Sequence, residues 1–371
     1  MLTRAMKDLH VEIADDLVPL ERAQITLPAT PGGRAAVSVL KRLRGAGHAA
    51  YLVGGCVRDL VLGLAPKDYD VATAASPDEV TACFDRVVPV GAAFGVVRVL
   101  IGRSSGAVEV EVATFRADLG YADGRRPDAV RFTDAREDVL RRDFTLNGLL
   151  ADPLTSDGQL AATVEVVDWV GGLRDLRNRT LRAIGVADER FGEDGLRLLR
   201  AVRFAARFEL EIEPTTATAM REMADGLANV SPERIHQELA AMLQPPHAPR
   251  ALRLLADHGL DARVVPDVVA ADPSLCRAVI RFSALQQTTT PCDDSAQTAD
   301  EDRLFPSLGV SPALAIAALF WDARPPDERQ AIAALGNSLR LSNATCRALA
   351  EIWRVAAAAD AMMAAAAAAA A

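Results

Sequence analysis

The chain has 371 residues, half of them hydrophobic and a quarter charged, which exceeds one typical domain and allows sizeable buried cores. Its formal net charge of −9 excludes a uniformly basic nucleic-acid binder and leaves room for a basic face only where charge is segregated. Its five cysteines, Cys56, Cys83, Cys276, Cys292 and Cys346, are scattered and lack any CxxC pair, which excludes a disulfide framework and a zinc site of that pattern.

No apolar run before the C-terminal alanines reaches membrane length, and the opening MLTRAMKDLHVEIADD is too acidic for a signal or transit peptide. A cytoplasmic protein without a membrane partner is the expectation. Residues 1–33 have weak periodicity, end in the turn-rich LPATPGG, and read as an extension before the first domain. From Arg34 to Gly47 the spacing of Val37, Leu40 and Leu43 predicts a helix, with Lys41, Arg42 and Arg44 on its other side.

The stretch YLVGGCVRDLVLGLAPKDYDVAT, Tyr51 to Thr73, reads as strand, tight turn at Gly54-Gly55, helix over Cys56–Leu62, then a second strand holding Lys67 to Val71. Side chains alternate along a strand, so Asp68 and Asp70 point to one face. Two carboxylates aimed at one spot repel, and a divalent cation is the usual relief; hard oxygen ligands with a triphosphate completing the shell suit magnesium. Arg58 and the helix start after Gly55 would face the same triphosphate. Taken alone, Asp-x-Asp is more often a solvated strand face.

Ser76, Pro77 and Glu79 form a capping-box signature that starts a helix over Pro77–Phe84. Arg86–Pro89, Val96–Ile101 and Val108–Phe115 are β-prone, and in the last of these Glu109 and Glu111 share a face. Asp118 to Phe132, DLGYADGRRPDAVRF, reads as a long loop. The run RRDFTLNGL places Arg141, Arg142, Asp143 and Asn147 within one short segment. Asp152–Gly172 reads as loop and short strand, containing VEVVDWVGG.

From Asp194 onward the pattern is almost entirely helical. In EDGLRLLRAVRFAARF, Glu193 to Phe208, helical geometry gathers Arg197, Arg200, Arg203 and Arg207 within about a third of the circumference. Arg174–Arg207 holds nine arginines against five acids, while the segment around Asp293–Asp302 is acidic, so the charge is segregated. SPERIHQELAAML starts another capped helix, in which Glu233 and Arg234 read as structural. Further helices are expected at 248–259, 311–321, 326–335 and 343–357, separated by a polar stretch, Gln286–Asp302, expected to be disordered.

Taken together and in order, GG-x-V-R-D with the following D-x-D, RRDFTLNGL, E-D-x-x-R at 193–197 and ERI-x-x-EL resemble the motifs of the nucleotidyltransferase superfamily. More narrowly they resemble class II tRNA nucleotidyltransferases, the CCA-adding enzymes, and bacterial poly(A) polymerases, over residues 35–240. The resemblance implies an α+β fold: a small mixed-sheet catalytic head at 34–170, then an all-α neck at 171–243 and an RNA-binding body and tail at 244–371. Asp68 and Asp70 would hold two magnesium ions. Glu111 stands either as a third catalytic carboxylate or as an ordinary polar strand face.

Gly55, Arg58, Arg142, Asp143, Asp194, Arg197, Arg200 and Arg203 occupy nucleotide-binding positions by the same resemblance, with Asp194 and Arg197 reading the base as a protein template would. The loop at 118–132 stands where relatives carry one tied to addition of the terminal A. Two departures are small: Gly148 stands where Ala is frequent, and Gly195 where Pro is frequent. The implied activity is template-independent addition of CCA, or of its terminal A, to the 3′ end of tRNA from CTP and ATP. Poly(A) polymerase is the alternative, disfavoured by GAAFGVVRV where those enzymes are arginine-rich. A non-catalytic RNA-binding relative is disfavoured by the intact Asp68, Asp70, Arg58 and Arg142.

Overall fold

A computed structural model of the chain describes residues 20–91, 94–102, 106–119, 129–244, 246–271, 275–288, 312–320, 332–333, 335–337 and 339–355. These fall into two compact units. One takes the chain up to Phe115 with Phe132–Leu140 and Leu146–Leu173; the other takes Arg116–Arg131, Arg141–Thr145 and the chain from Arg174.

The first unit is built on an eight-stranded sheet in the order β1-β10-β9-β2-β3-β6-β5-β4. Its strands are β1 (Glu21–Ile25), β2 (Ala50–Val53), β3 (Asp70–Thr73), β4 (Val87–Gly91), β5 (Val96–Ile101), β6 (Val108–Thr114), β9 (Leu149–Leu154) and β10 (Leu160–Asp168). Neighbours run antiparallel except β3 and β6, which are parallel. Helices α1 (Pro31–Gly45), α2 (Gly55–Val61), α3 (Pro77–Cys83) and α4 (Ala135–Leu140) complete it. Helix α1 buries Ala36, Val39, Leu40 and Leu43, the apolar stripe its spacing encodes. A core cluster of Val53, Ala72, Phe115, Val139 and Leu150 packs with Tyr51, Ala135 and Trp169.

Several sequence expectations are corrected here. Residues Glu21–Ile25, expected to precede the head, form the edge strand β1 paired with β10. Helix α1 starts at Pro31 rather than Arg34, because Thr30 accepts a hydrogen bond from the Gly33 amide and proline suits the first turn. Asp152–Gly172 holds a nine-residue strand, Leu160–Asp168, rather than a short one. The expected loop at 118–132 is flanked by strands β7 (Arg116–Leu119) and β8 (Ala129–Phe132), which pair in their own two-stranded sheet. Residues 120–128 of that loop lie outside the described residues, as do 1–19, most of the polar stretch at 286–302 and most of the helix expected at 326–335.

The second unit is mainly helical. Its elements are α5 (Gly172–Arg177, begun in the first unit), β11 (Thr180–Leu181), α6 (Ala187–Glu193), α7 (Leu196–Arg207), β12 (Glu211–Ile212), α8 (Pro214–Glu222), a 3-10 helix (Ala224–Asn229), α9 (Pro232–Met242), α10 (Ala248–Asp257), α11 (Asp261–Val264), α12 (Pro266–Ala271), α13 (Cys276–Thr288) and α14 (Pro312–Leu319). A further helix covers 343–355. The all-helical expectation after 194 misses one short pairing, β12 beside β11 in parallel. Helix α7 packs along α9 and α10, burying Leu198, Leu199, Val202, Ala205 and Ala206. Among the described residues no helix is long and apolar enough to cross a membrane.

Candidate active site

In the first unit the turn after β2 is set by Gly54, whose φ of 67° lies in the left-handed region where a side chain would be strained. It delivers the chain into α2, whose start carries Gly55. Arg58 lies under this turn: its Nη1 donates to Asn147 Oδ1 at 2.7 Å, and Nε and Nη2 donate to Asp59 Oδ1 at 2.9 and 2.6 Å. The guanidinium is only 5 % exposed. The fork expected to face a triphosphate is bound here to a carboxylate and an amide, which hold it beneath the turn.

Asp68 and Asp70 were expected on one strand. Strand β3 begins at Asp70, and Asp68 lies in the bend before it. Alternation still holds across the segment: Asp68 is exposed, Tyr69 is buried, and Asp70 is half-buried. Tyr69 anchors the pair, its hydroxyl lying 3.4 Å from Thr30 Oγ1 at the cap of α1. Asp70 stands abreast of Val53 on β2 and of Glu111 on β6. Residues abreast on neighbouring strands share a face, so Glu111 points to the same side as Asp70.

Arg98 on β5 also stands opposite Glu111, yet its Nη1 reaches Glu109 Oε2 at 3.4 Å instead. Neither Asp68 nor Glu111 is engaged by a hydrogen bond or ion pair among the described residues. Among those residues no group of three His, Cys, Asp or Glu side chains gathers to hold a metal ion. The Cys56 thiol points at the carbonyls of Val53 and Asp70, 3.3 and 3.9 Å away. Burial, reinforced by the Asp70 charge, pushes this thiol up to about 12, so it stays protonated and inert.

The second unit holds a network of ion pairs. Asp194, extended just before α7, accepts the Leu196 amide at 3.1 Å and the two Nη atoms of Arg234 at 3.0 and 2.7 Å. Arg197 bonds Glu193 and the Arg190 carbonyl, and reaches the Arg141 carbonyl at 3.3 Å. Arg200 grips Asp143 through Nε at 2.8 Å and Nη2 at 2.6 Å. Arg203 grips Glu238 of α9 at 2.6 and 3.4 Å, and its guanidinium lies over the Phe204 ring. Burial alone would pull the Arg200 guanidinium down; the charges of Asp143 and Glu238 outweigh it and raise it above its ordinary value.

Along the arginine stripe Arg197 is matched to Glu193, Arg200 to Asp143 and Arg203 to Glu238, while Arg207 is exposed with its guanidinium over the Phe208 ring. Arg142 is half-buried next to Asp143. Asp143 is buried and also accepts the Phe144 amide at 2.8 Å. In the sequence alone Arg234 reads as structural, and neither Glu238 nor Asp59 stands out. The i, i+4 spacing of Arg234 and Glu238 on one helix was the available signal, for it turns both toward α7.

Comparison with known proteins fits these motifs. Residues 50–182 match the poly A polymerase head domain, and residues 209–271 match a region described as the probable RNA and SrmB-binding site of polymerase A. The solved CCA-adding enzyme of Bacillus stearothermophilus, in complex with CTP, is 32 % identical with a TM-score of 0.60, over 83 % of this chain and 71 % of that one. The chain belongs to the class II tRNA nucleotidyltransferase and poly(A) polymerase family.

Other members of the family include CCA-adding enzymes of Latilactobacillus sakei, 41 % identical over 67 % of this chain, and of Geobacillus stearothermophilus, 39 % identical over 62 %. The chain spans 59 % and 54 % of those two relatives' lengths. The family generally uses divalent metal ions, and carboxylate oxygens such as those of Asp68 and Asp70 are the hard donors such a cation takes.

Proposed function

We propose that this family member is a template-independent RNA nucleotidyltransferase that adds CCA, or its terminal A, to the 3′ end of tRNA from CTP and ATP, releasing pyrophosphate in the cytoplasm. The observation that carries the reading is Asp70 abreast of Glu111 with exposed Asp68 just before it, on a turn-and-helix scaffold set by Gly54. The likeness to a CCA-adding enzyme solved with CTP supports the choice of substrate.

Residues 34–170 would carry the transfer, 171–243 the choice of base, and 244–371 the grip on RNA. Asp68 and Asp70 would hold magnesium, with phosphate and water oxygens filling the shell that two carboxylates leave open. Bound there, the ions would activate the RNA 3′-hydroxyl and neutralise charge on the triphosphate. Glu111 would add negative charge beside Asp70. Gly55 leaves the start of α2 uncrowded for phosphate approach, with Arg58 holding the turn and Arg142 placed by the family resemblance to contact phosphate or sugar. Asp194 and Arg197 would offer an acceptor and donors to C or A, held rigid by Arg234 and Glu193, while Asp143 and Glu238 hold Arg200 and Arg203. A base that leaves such groups unpaired is rejected strongly.

The test is Asp70→Asn and Asp68→Asn, with transfer of nucleotide to tRNA and binding of tRNA measured separately. Loss of transfer with tRNA binding retained is expected. Undiminished transfer would overturn the metal-binding assignment, and loss of tRNA binding with transfer would favour a structural role for these carboxylates.

A further inference from the structure

Gly195, the N-cap of α7, lies between the two proposed base-reading residues, Asp194 and Arg197. Its φ of −57° and ψ of −22° are ordinary helical values that any residue adopts and that proline favours. Glycine is therefore not required for its conformation. What it supplies is room: a Cβ built at Gly195 would lie 2.5 Å from the Gly226 carbonyl oxygen, 2.8 Å from the Gly226 carbonyl carbon and 3.3 Å from Val230 Cγ2. Two of these are backbone atoms, which cannot swing aside as the tip of a flexible side chain can.

The backbone that fills this space belongs to the 3-10 helix Ala224–Asn229, which runs through Val230 into the start of α9. Three residues past Ser231, the N-cap of α9, stands Arg234, whose fork holds the Asp194 carboxylate. The seam between Gly195 and Gly226 thus sets the spacing between the start of α7, with Asp194 and Arg197, and the start of α9, with Arg234. We infer that Gly195 is a positioning residue for nucleotide selection: by lacking a Cβ it lets the 224–230 segment close on the start of α7 and fixes the Asp194 carboxylate. This deepens the proposed function and rests on Asp194 and Arg197 reading the base. It also gives a steric reason for glycine where relatives often carry proline: the space a ring would need is occupied by the Gly226 carbonyl.

The experiment compares wild type, Gly195→Ala, Gly195→Pro, Val230→Ala and Gly192→Ala. Steady-state kcat and KM are measured for CTP, ATP, UTP and GTP on tRNAs ending before CCA and after CC, with thermal melting alongside. Gly192 is the control, since a Cβ there meets only Met223 Cε at 3.7 Å, an ordinary contact. Gly195→Ala and Gly195→Pro are expected to lower the preference for the correct nucleotide by about tenfold or more, through kcat/KM for that nucleotide. Gly192→Ala is expected to stay within about twofold.

Val230→Ala loosens the same seam without inserting an atom, and is expected to erode the preference in the same direction but less. Should the Gly195 variants fail to fold, Val230→Ala decides alone. Unchanged discrimination in folded Gly195→Ala, or in Val230→Ala where the Gly195 variants do not fold, overturns the inference. A wild-type enzyme that transfers C and A with no preference over U and G would sink the base-reading assignment itself, and the inference with it.

Discussion

Asp194 receives both terminal nitrogens of Arg234, forty residues further along the chain, at 3.0 and 2.7 Å. Two parallel bonds from a planar guanidinium fix the plane of a carboxylate in a way a single contact does not. A side chain proposed to read a base is thereby oriented before any nucleotide arrives.

Replacing Arg234 separates charge from geometry. Arg234→Lys keeps the charge but loses the fork, and is expected to weaken discrimination between correct and incorrect nucleotides by about tenfold while melting changes little. Arg234→Ala leaves the Asp194 charge without its partner and is expected to lower stability by about 3 kcal/mol as well. Kinetics with CTP and ATP, together with urea unfolding, check both.

The first unit offers a paired comparison. Glu111 stands beside Asp70 and is unengaged among the described residues, whereas Glu109 is bonded to Arg98. Glu111→Gln is expected to lower kcat by about a hundredfold with KM for nucleotide little changed, the scale of losing one charge-stabilising group. Glu109→Gln, on the same face but taken by Arg98, is expected to remain within about twofold. Equal, small effects would return Glu111 to an ordinary polar strand face.

Arg58 and Asn147 form the hidden support of the glycine turn. Asn147→Ala removes the acceptor of a buried charged donor and is expected to cost about 2 kcal/mol in urea unfolding. Arg58→Ala strands the buried Asp59 carboxylate and is expected to cost more, about 3 to 5 kcal/mol. Both should slow transfer through the turn's position without abolishing tRNA binding.

Buried groups set two pH responses. Burial holds His236, His247 and His258 below the ordinary histidine value, so below about pH 6.5 the unfolded chain takes up protons that the folded chain does not. Stability is therefore expected to fall as pH drops from 6.5 through their folded values, and His258→Gln should flatten part of that slope in thermal melts. The Cys56 thiol, pushed up to about 12 by burial and the Asp70 charge, binds a proton in the folded chain above pH 9 where the unfolded chain has lost it. It is expected to resist alkylation at pH 8 while the exposed Cys276 reacts.

What the sequence revealed depended on how local the signal was. The Ser76–Glu79 capping box is present with both of its bonds, and β5 spans Val96–Ile101 as its β-prone run indicates, because caps and alternation are written within a few residues. Gly54 is at the turn its position suggests, with positive φ. Strand β1 was missed because a short edge strand is stabilised by pairing with β10, more than a hundred residues away in the chain, and its own pattern is weak. The arginine stripe on α7 was legible as a stripe, but periodicity names a face and not what lies against it. Its partners Asp143 and Glu238 come from segments 57 and 35 residues distant. For the same reason the bond from Arg58 to Asn147, 89 residues on, is not legible in the local sequence.

The most direct measurement of the proposed activity supplies purified protein with tRNA ending before CCA, after C and after CC, with CTP alone, ATP alone or both, and counts the nucleotides added to each. The expected result is addition that completes CCA, or adds the final A to tRNA ending in CC, and then stops, with no extension of unrelated RNA. Continued addition of A to unrelated RNA would contradict it and identify a poly(A) polymerase, and no addition to any of these ends would contradict an enzymatic role in nucleotide transfer.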